Sequence, residues 1–149
     1  AKSLRTIEKA YAKAPFFDSC AGLVEAYFNH ESNSLIERNM QFIRRVCDIL
    51  SINTEVSFSS SLDTQGNSTE LLVEILSLCD ATTYLCGTGA DGYQDVSLYR
   101  EAGIELVFSE FTHPTYSQLH AGEFVPGLSI MDSLFNAGSD AVRDWIAES

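Results

Sequence analysis

The run "CGTGADGYQD", residues 86 to 95, places Gly87, Gly89 and Gly92 in the spacing of a dinucleotide-binding fingerprint. In such a fingerprint, glycines let the backbone approach a pyrophosphate, and a helix N-terminus supplies N–H groups and positive dipole. Glu110 closes the following hydrophobic run at about the separation where a ribose-binding acid would stand. Nucleotide binding is therefore one hypothesis for this run.

A plain turn is the competing interpretation of the same glycines. Asp91 would place a carboxylate beside the phosphates, and Tyr93 puts a bulky ring where a helix should pack closely on the sheet. The preceding hydrophobic run, "TTYLC", is short. We therefore favour a turn and helix cap and keep nucleotide binding as an alternative.

Acid–base chemistry is predicted in the long polar segment of residues 109–127. His113 follows a hydrophobic run and precedes Pro114, which restricts the backbone of the histidine. Histidine at such a position is a common general base, so we predict this role for His113. Tyr116 and Gln118, close by in the sequence, are predicted to orient a substrate.

Three serines and one aspartate are further candidate site residues. Ser59 and Ser60 follow an alternating segment, but no G-x-S-x-G pattern surrounds them, so we predict substrate binding rather than nucleophilic attack. Ser129 is predicted to cap a closing helix. Asp132 would then lie in the first turn of that helix, where we predict that it reaches the site.

The spacing of apolar residues predicts the elements that would position these groups. Residues 1–51 have the periodicity of three successive helices, and residues 54–108 have a strand, helix, strand, helix, strand pattern. Its strands would be "TEVSFS", "TTYLC" and "IELVF". Right-handed crossovers then give a parallel sheet covered by helices, a three-layer Rossmann-like α/β fold.

A ligand segment and two closing helices are predicted over residues 109–149, within a single domain of residues 1–149. The helices would be "LSIMDSLFNAG" and "SDAVRDWIAE". Ligands bind beyond the carboxyl ends of parallel strands. We therefore expect His113, Tyr116 and Gln118 to lie close to Gly87 and Gly89 at one edge of the sheet.

Composition narrows the classes of partner. The chain of 149 residues has 21 acidic against 9 basic residues and a formal net charge of −12. Such a surface repels nucleic acid and anionic lipid. A small-molecule substrate is expected, with a basic protein partner or a homo-oligomer as further interactions.

No apolar run is long enough to cross a membrane, and the opening residues are too polar for a secretory signal, which predicts a soluble, cytoplasmic protein.

The cysteines do not predict a metal site. Cys20, Cys47, Cys79 and Cys86 form no C-x-x-C pair and have no His-x-x-x-His partner. Each lies in an apolar context, which predicts buried, reduced thiols. The residues identify no cofactor.

Four segments of the chain, in order, resemble the WbqC-like family, found in bacterial O-antigen and related biosynthetic gene clusters. They are "YAKAPFF", "YLCGTGADGY", "GIELVFSEFTHPTYSQ" and "FVPGLSIMDSLFNAG". The last segment is the most specific, and the resemblance covers nearly the whole chain. It marks these motif positions: Gly87, Gly89, Tyr93, His113, Pro114, Tyr116, Gln118, Ser129, Asp132 and Asn136. Of these, we predict that the following bind substrate: Gly87, Gly89, Tyr93, Tyr116, Gln118, Ser129 and Asn136. The resemblance also implies a further stretch upstream of the first residue.

The function implied by this resemblance is decoration of a surface sugar or a related small metabolite. Glycine-type aminoacyl transfer, or acyl transfer, onto an amino or hydroxyl group is the reaction it suggests. His113 and Asp132 are the catalytic residues that we predict from the residues themselves. A non-catalytic binding or assembly module is the alternative, because the acidic surface could dock a basic partner.

Overall fold

A computed structural model describes residues 2–87, 92, 94–119 and 122–148. They divide into two compact units. One unit contains residues 1–54 and 113–149, and the other contains residues 55–112.

The first unit opens with three helices, as predicted. They are α1 (Lys2–Tyr11), α2 (Phe17–Phe28) and α3 (Leu35–Leu50). Ser34 caps α3 by accepting a hydrogen bond from the Glu37 N–H at 3.3 Å. The predicted helical N-terminal third is therefore confirmed.

The last helix, α6 (Ile130–Glu148), completes the first unit. Leu134 and Phe135 on α6 are fully buried against Cys20, Leu23 and Val24 of α2. The Phe16 N–H also donates to the Phe135 carbonyl at 3.0 Å, which ties the α1–α2 turn to α6. This core holds the long segment and the helices in one unit.

The second unit is built around a small parallel sheet. Helix α4 (Ser68–Leu78) precedes strand β1 (Thr83–Gly87), and α5 (Val96–Glu101) links β1 to β2 (Glu105–Ser109). The register pairs Thr83 with Glu105 and Gly87 with Ser109. The predicted parallel pairing of "TTYLC" with "IELVF" is confirmed.

The predicted first strand, "TEVSFS", is absent. Residues 52–58 form neither helix nor strand, and Ser59–Ser61 form a short 3-10 helix. Val56 and Phe58 are 46% and 39% exposed, so their side chains gain little from burial. Alternating polarity indicates two faces but supplies no neighbouring strand, and a strand needs a backbone partner.

The described residues thus form a mixed α/β fold with a two-stranded sheet, and they do not establish the predicted three-layer, Rossmann-like sheet.

The expectation for the cysteines is corrected in part. All four thiols are free, but Cys79 is exposed and Cys47 is only partly buried.

The two predicted closing helices are confirmed as two arms of α6. Gly138 has φ 85° and ψ 165°, which is not helical, and it divides the arms. Only glycine adopts this conformation readily. A Cβ at this position would also lie 2.9 Å from two ring atoms of Phe16.

We expect Gly138→Ala to lower the free energy of unfolding by about 2 to 3 kcal/mol, mainly through strain in the backbone. The contact with Phe16 adds little, because this half-exposed ring can shift away from the new methyl group. Gly22→Ala is the control, since Gly22 lies inside α2 and an added Cβ would meet no atom within 4 Å. That control is expected to gain about 0.5 kcal/mol. Urea unfolding measures both, and equal stability of the two variants would contradict the prediction.

Candidate functional site

Asp132 lies in the first turn of α6, where the sequence predicted it. The Asp132 N–H donates to the Ser129 carbonyl at 2.8 Å, and the Met131 N–H donates to the Ser129 hydroxyl at 3.3 Å. Ser129 therefore caps the helix as expected. The Asp132 side chain is only 4% exposed, at a helix end whose dipole favours a negative charge.

Four neutral donors surround the buried Asp132 carboxylate. Oδ1 accepts from the Tyr11 hydroxyl at 2.8 Å and from Asn136 Nδ2 at 3.2 Å. Oδ2 accepts from the Tyr116 hydroxyl at 2.8 Å and from Gln118 Nε2 at 3.0 Å. We call these five residues the Asp132 hub. Each carboxylate oxygen is satisfied without a cation in the hub.

The amides of the hub also fix the long segment that follows β2. Gln118 forms two bonds with the backbone of Val125, from its Nε2 to the carbonyl at 3.0 Å and from the Val125 N–H to its Oε1 at 2.9 Å. The Leu119 N–H donates to Asn136 Oδ1 at 3.0 Å. The described residues of this segment, 113–119 and 122–127, are therefore anchored on the first turns of α6.

Aromatic rings pack around the hub. The Tyr116 ring stacks on Trp145 with centroids 5.4 Å apart and meets Phe124 edge-on at 5.3 Å. The Tyr11 ring lies 4.9 Å from that of Phe135. These contacts place both phenols with little freedom to turn away from Asp132.

Burial raises the pKa of Tyr11 to about 12, and the hydrogen bond to Asp132 acts in the same direction. The pKa of Tyr116 is also raised to about 12, by burial first and then by its hydrogen bond to Asp132. Ionisation would place a phenolate beside a carboxylate. At neutral pH both hydroxyls therefore remain protonated donors.

We expect two of the six tyrosines to titrate near pH 12, above the ordinary pKa of 10.0. Because the folded-state pKa is raised, the stability contributed by these phenols is complete below about pH 10 and is lost as the pH rises through about 12. Tyrosinate absorbance follows the titration, and Tyr11→Phe should remove one of the two tyrosines that titrate near pH 12. Ionisation of all six near the ordinary value would contradict the prediction.

His113 stands at the start of the anchored segment. Its Nε2 lies 4.0 Å from the point that a Cβ atom would occupy at Gly127, a glycine with φ +73°. The two ends of the segment therefore approach each other beside this imidazole. The structure brings His113 into the unit that contains the hub, and its predicted role as general base stays a prediction.

The Asp132 hub contains four residues that the sequence identified, namely Tyr116, Gln118, Asp132 and Asn136. Sequence reasoning did not identify Tyr11 as a candidate site residue. Its ring does pack against the core, but its hydroxyl reaches Asp132. The signal was available, because Tyr11 opens the segment "YAKAPFF".

The remaining predicted residues belong to the second unit. Ser59 and Ser60 are exposed in the 3-10 helix, and Gly87 ends β1. Gly89 and Tyr93 lie outside the described residues. The predicted gathering of His113, Tyr116 and Gln118 beside the glycines, and nucleotide binding there, both stay predictions.

Residues 2–87, 92, 94–119 and 122–148 contain no group of three or more His, Cys, Asp or Glu side chains placed to hold a metal ion. In the same residues, no helix is both long enough and apolar enough to cross a membrane.

The chain is similar to a known protein family and to a mycobacterial protein. The model of the WbqC-like protein family matches residues 1–144. The uncharacterized protein Rv1507c of Mycobacterium tuberculosis is 30% identical over 139 residues, which cover 92% of this chain and 60% of that protein. This chain thus spans about three fifths of that relative's length.

No solved structure gives a significant match to the chain. The family match, by contrast, includes every residue of the Asp132 hub. The chain belongs to the WbqC-like protein family.

Proposed function

We propose that the chain forms part of a biosynthetic protein that transfers a glycine-type aminoacyl group, or an acyl group, onto a sugar or related small molecule. The observation that supports this most is the convergence of Tyr116, Gln118 and Asn136 on Asp132. Holding a polar segment on a buried carboxylate gives the precise placement that group transfer requires. The acceptor is proposed to be a cytoplasmic precursor.

In the proposed step, an amino or hydroxyl group of the acceptor attacks the carbonyl carbon of an activated donor. His113 takes the proton of the attacking group, and a new C–N or C–O bond forms. The bond from the carbonyl carbon to the leaving group breaks, and the leaving group departs with the electron pair. His113 is the proposed catalytic residue because an imidazole can accept this proton near neutral pH.

Asp132 receives a different role in this proposal. The sequence placed it in a catalytic pair with His113, but each of its oxygens already accepts two hydrogen bonds. We therefore assign Asp132 to positioning the segment that carries His113 and Gln118. The protonated phenols of Tyr11 and Tyr116 act with it as fixed donors.

Mass spectrometry of acceptor sugars tests this function. A strain lacking the gene should lose one aminoacyl or acyl modification, and the wild-type gene should restore it. His113→Ala is expected to lower the restored modification by about 100-fold or more. His30→Ala is the matched control, since His30 accepts a hydrogen bond from the Ser32 N–H after α2 and lies outside the hub. An unchanged sugar profile in the deletion strain would refute the proposal.

A non-catalytic binding module is the second candidate, and the charge of the second unit favours it. Residues 55–112 contain ten acidic residues against the single basic residue Arg100. Such a surface suits a basic partner at low salt. A stoichiometric, salt-sensitive partner recovered together with an unchanged sugar profile would favour this candidate over transfer.

A further inference from the structure

Helix α4 carries more apolar surface than the described residues cover. Six of its eleven residues are leucine, isoleucine or valine, and at about 3.6 residues per turn they occupy more than half of its circumference. Thr69 is the single buried side chain of the helix, and Leu78 near its end is 52% exposed. The other apolar residues are each partly exposed, namely Leu71, Leu72, Val73, Ile75 and Leu76. A helix with so wide an apolar surface normally packs against protein on more than one side.

The small sheet of the second unit is covered by a helix on one face. Tyr84 stacks on the buried Tyr99 of α5 with ring centroids 5.6 Å apart, and Cys86 on the same face is buried. Leu85 points to the opposite face, because successive side chains of a strand alternate, and it is 65% exposed. Parallel sheets in α/β proteins are normally covered on both faces. The Leu85 face therefore resembles a surface that another chain covers.

The outer edge of β1, away from β2, has no paired strand in the part of the chain that the structure describes. The strand that the sequence predicted before α4, at residues 54–59, does not form there. Helix α4 packs beside α5 and leads into β1, so a right-handed crossover places it towards this edge. Such an edge presents N–H and C=O groups with which a further strand can pair. We call this edge, with Leu85 and the apolar residues of α4, the open edge.

The charge around the open edge is negative. Residues 55–112 contain ten acidic residues and the single basic residue Arg100. Glu105 lies opposite Thr83 in the register of the sheet, and Glu70 lies in the first turn of α4. Both carboxylates are exposed. A partner that suits this surface therefore carries basic side chains together with apolar ones.

We propose that the open edge binds an extended basic segment of another protein, which adds a strand beside β1. The backbone of the segment pairs with β1, its apolar side chains cover Leu85 and α4, and its basic side chains lie near the exposed carboxylates. The acidic charge that favours this partner disfavours a second copy of the chain, nucleic acid and anionic lipid alike. The proposal does not rest on the transfer activity, and it assigns a surface to the binding alternative.

Fluorescence anisotropy of the whole chain with a labelled peptide of alternating lysine and valine tests this proposal. We expect a Kd below about 100 μM in about 0.05 M NaCl, weakened by about tenfold or more in about 0.5 M NaCl. A peptide with one internal valine replaced by proline keeps the charge but loses a backbone donor. It should bind at least about tenfold more weakly. Failure of the lysine–valine peptide to bind at about 1 mM in low salt would overturn the proposal.

Leu85→Lys locates the binding surface, and Leu35→Lys is its matched control. Leu35 is 64% exposed on α3 in the other unit, so the two variants add the same charge at equally exposed positions. Leu85→Lys should weaken peptide binding by about tenfold or more, while Leu35→Lys should bind like the wild type. Equal binding by the two variants would overturn the location.

Amide hydrogen exchange tests the strand pairing. Bound peptide should raise the protection of amides within β1 by about tenfold or more and leave those of α3 unchanged. Equal binding of the valine and proline peptides, without new protection in β1, would overturn the pairing and leave only attraction between charges. Self-association of the wild-type chain in ultracentrifugation, lost in Leu85→Lys, would overturn the choice of another protein over a second copy.

Discussion

Replacing Asp132 by alanine is expected to lower the free energy of unfolding by about 3 to 5 kcal/mol. The change removes the acceptor of four side-chain donors, two of them phenols inside a packed aromatic cluster. Each buried donor left without a partner costs about 1 to 3 kcal/mol. The expected loss of stability stays below the sum of these four costs, because the partly buried Tyr116 and Gln118 can form some hydrogen bonds with water instead.

Two variants make this result specific. Asp132→Asn keeps the shape and one acceptor oxygen but turns an NH₂ group towards two donors, so we expect a smaller loss of about 2 kcal/mol. Asp48→Ala removes a carboxylate of α3 that lies outside the hub and should change stability by less than about 0.5 kcal/mol. Chemical denaturation compares all three. An Asp132→Ala variant as stable as Asp48→Ala would contradict the assignment of the hub.

Phe135→Ala is expected to cost about 3 to 5 kcal/mol, which is usual for loss of a fully buried phenylalanine. Phe135 is 0% exposed, and its ring lies 4.9 Å from Tyr11 and 5.1 Å from Phe17. The substitution opens a cavity between α1, α2 and α6. It should also loosen the Tyr11 hydroxyl from Asp132, because the ring that supports Tyr11 is removed.

Ile36→Ala provides the control for Phe135→Ala. Ile36 lies on α3 with 64% of its surface exposed, so its truncation should change stability by less than about 0.5 kcal/mol. Thermal unfolding of the two variants gives the comparison. A Phe135→Ala variant within about 1 kcal/mol of the wild type would show that this core is not packed as described.

The helices of the first unit could be predicted because their signals are local. Ser34 caps α3 through a hydroxyl only three residues from its donor, and the apolar spacing of α1 and α6 marks the faces that are buried. The division of α6 at Gly138 was also visible as a glycine between two periodic segments. Capping and periodicity need no knowledge of distant residues.

The predicted strand over residues 54–59 was wrong because pairing is not a local property. "TEVSFS" has the alternation of a strand, yet nothing in that alternation names a neighbour that could complete its backbone hydrogen bonds. The pairing of β1 with β2 was predictable because the short α5 crossover, capped by Asp95, fixes their direction. Sheet size could not be derived in the same way.

The site was predictable in its members but not in its connections. Tyr116, Gln118 and Asp132 stood out as polar groups in segments beside predicted elements. Tyr11 and Asp132 are separated by 121 residues in the sequence, and no local pattern signals that their side chains meet, because the contact follows from the packing of α1 near α6. The saturation of Asp132 by four donors likewise appears only in three dimensions.

Amide hydrogen exchange at Leu119 and Val125 tests most directly that the Asp132 hub anchors the segment carrying His113. Their N–H groups donate to Asn136 and Gln118, so both should be protected in the wild type. Asp132→Asn should lower the protection of both by about tenfold or more relative to Ile52, whose N–H donates to the Cys47 carbonyl at 2.8 Å. Unprotected amides in the wild type, or equal changes at all three positions, would contradict the anchoring of this segment.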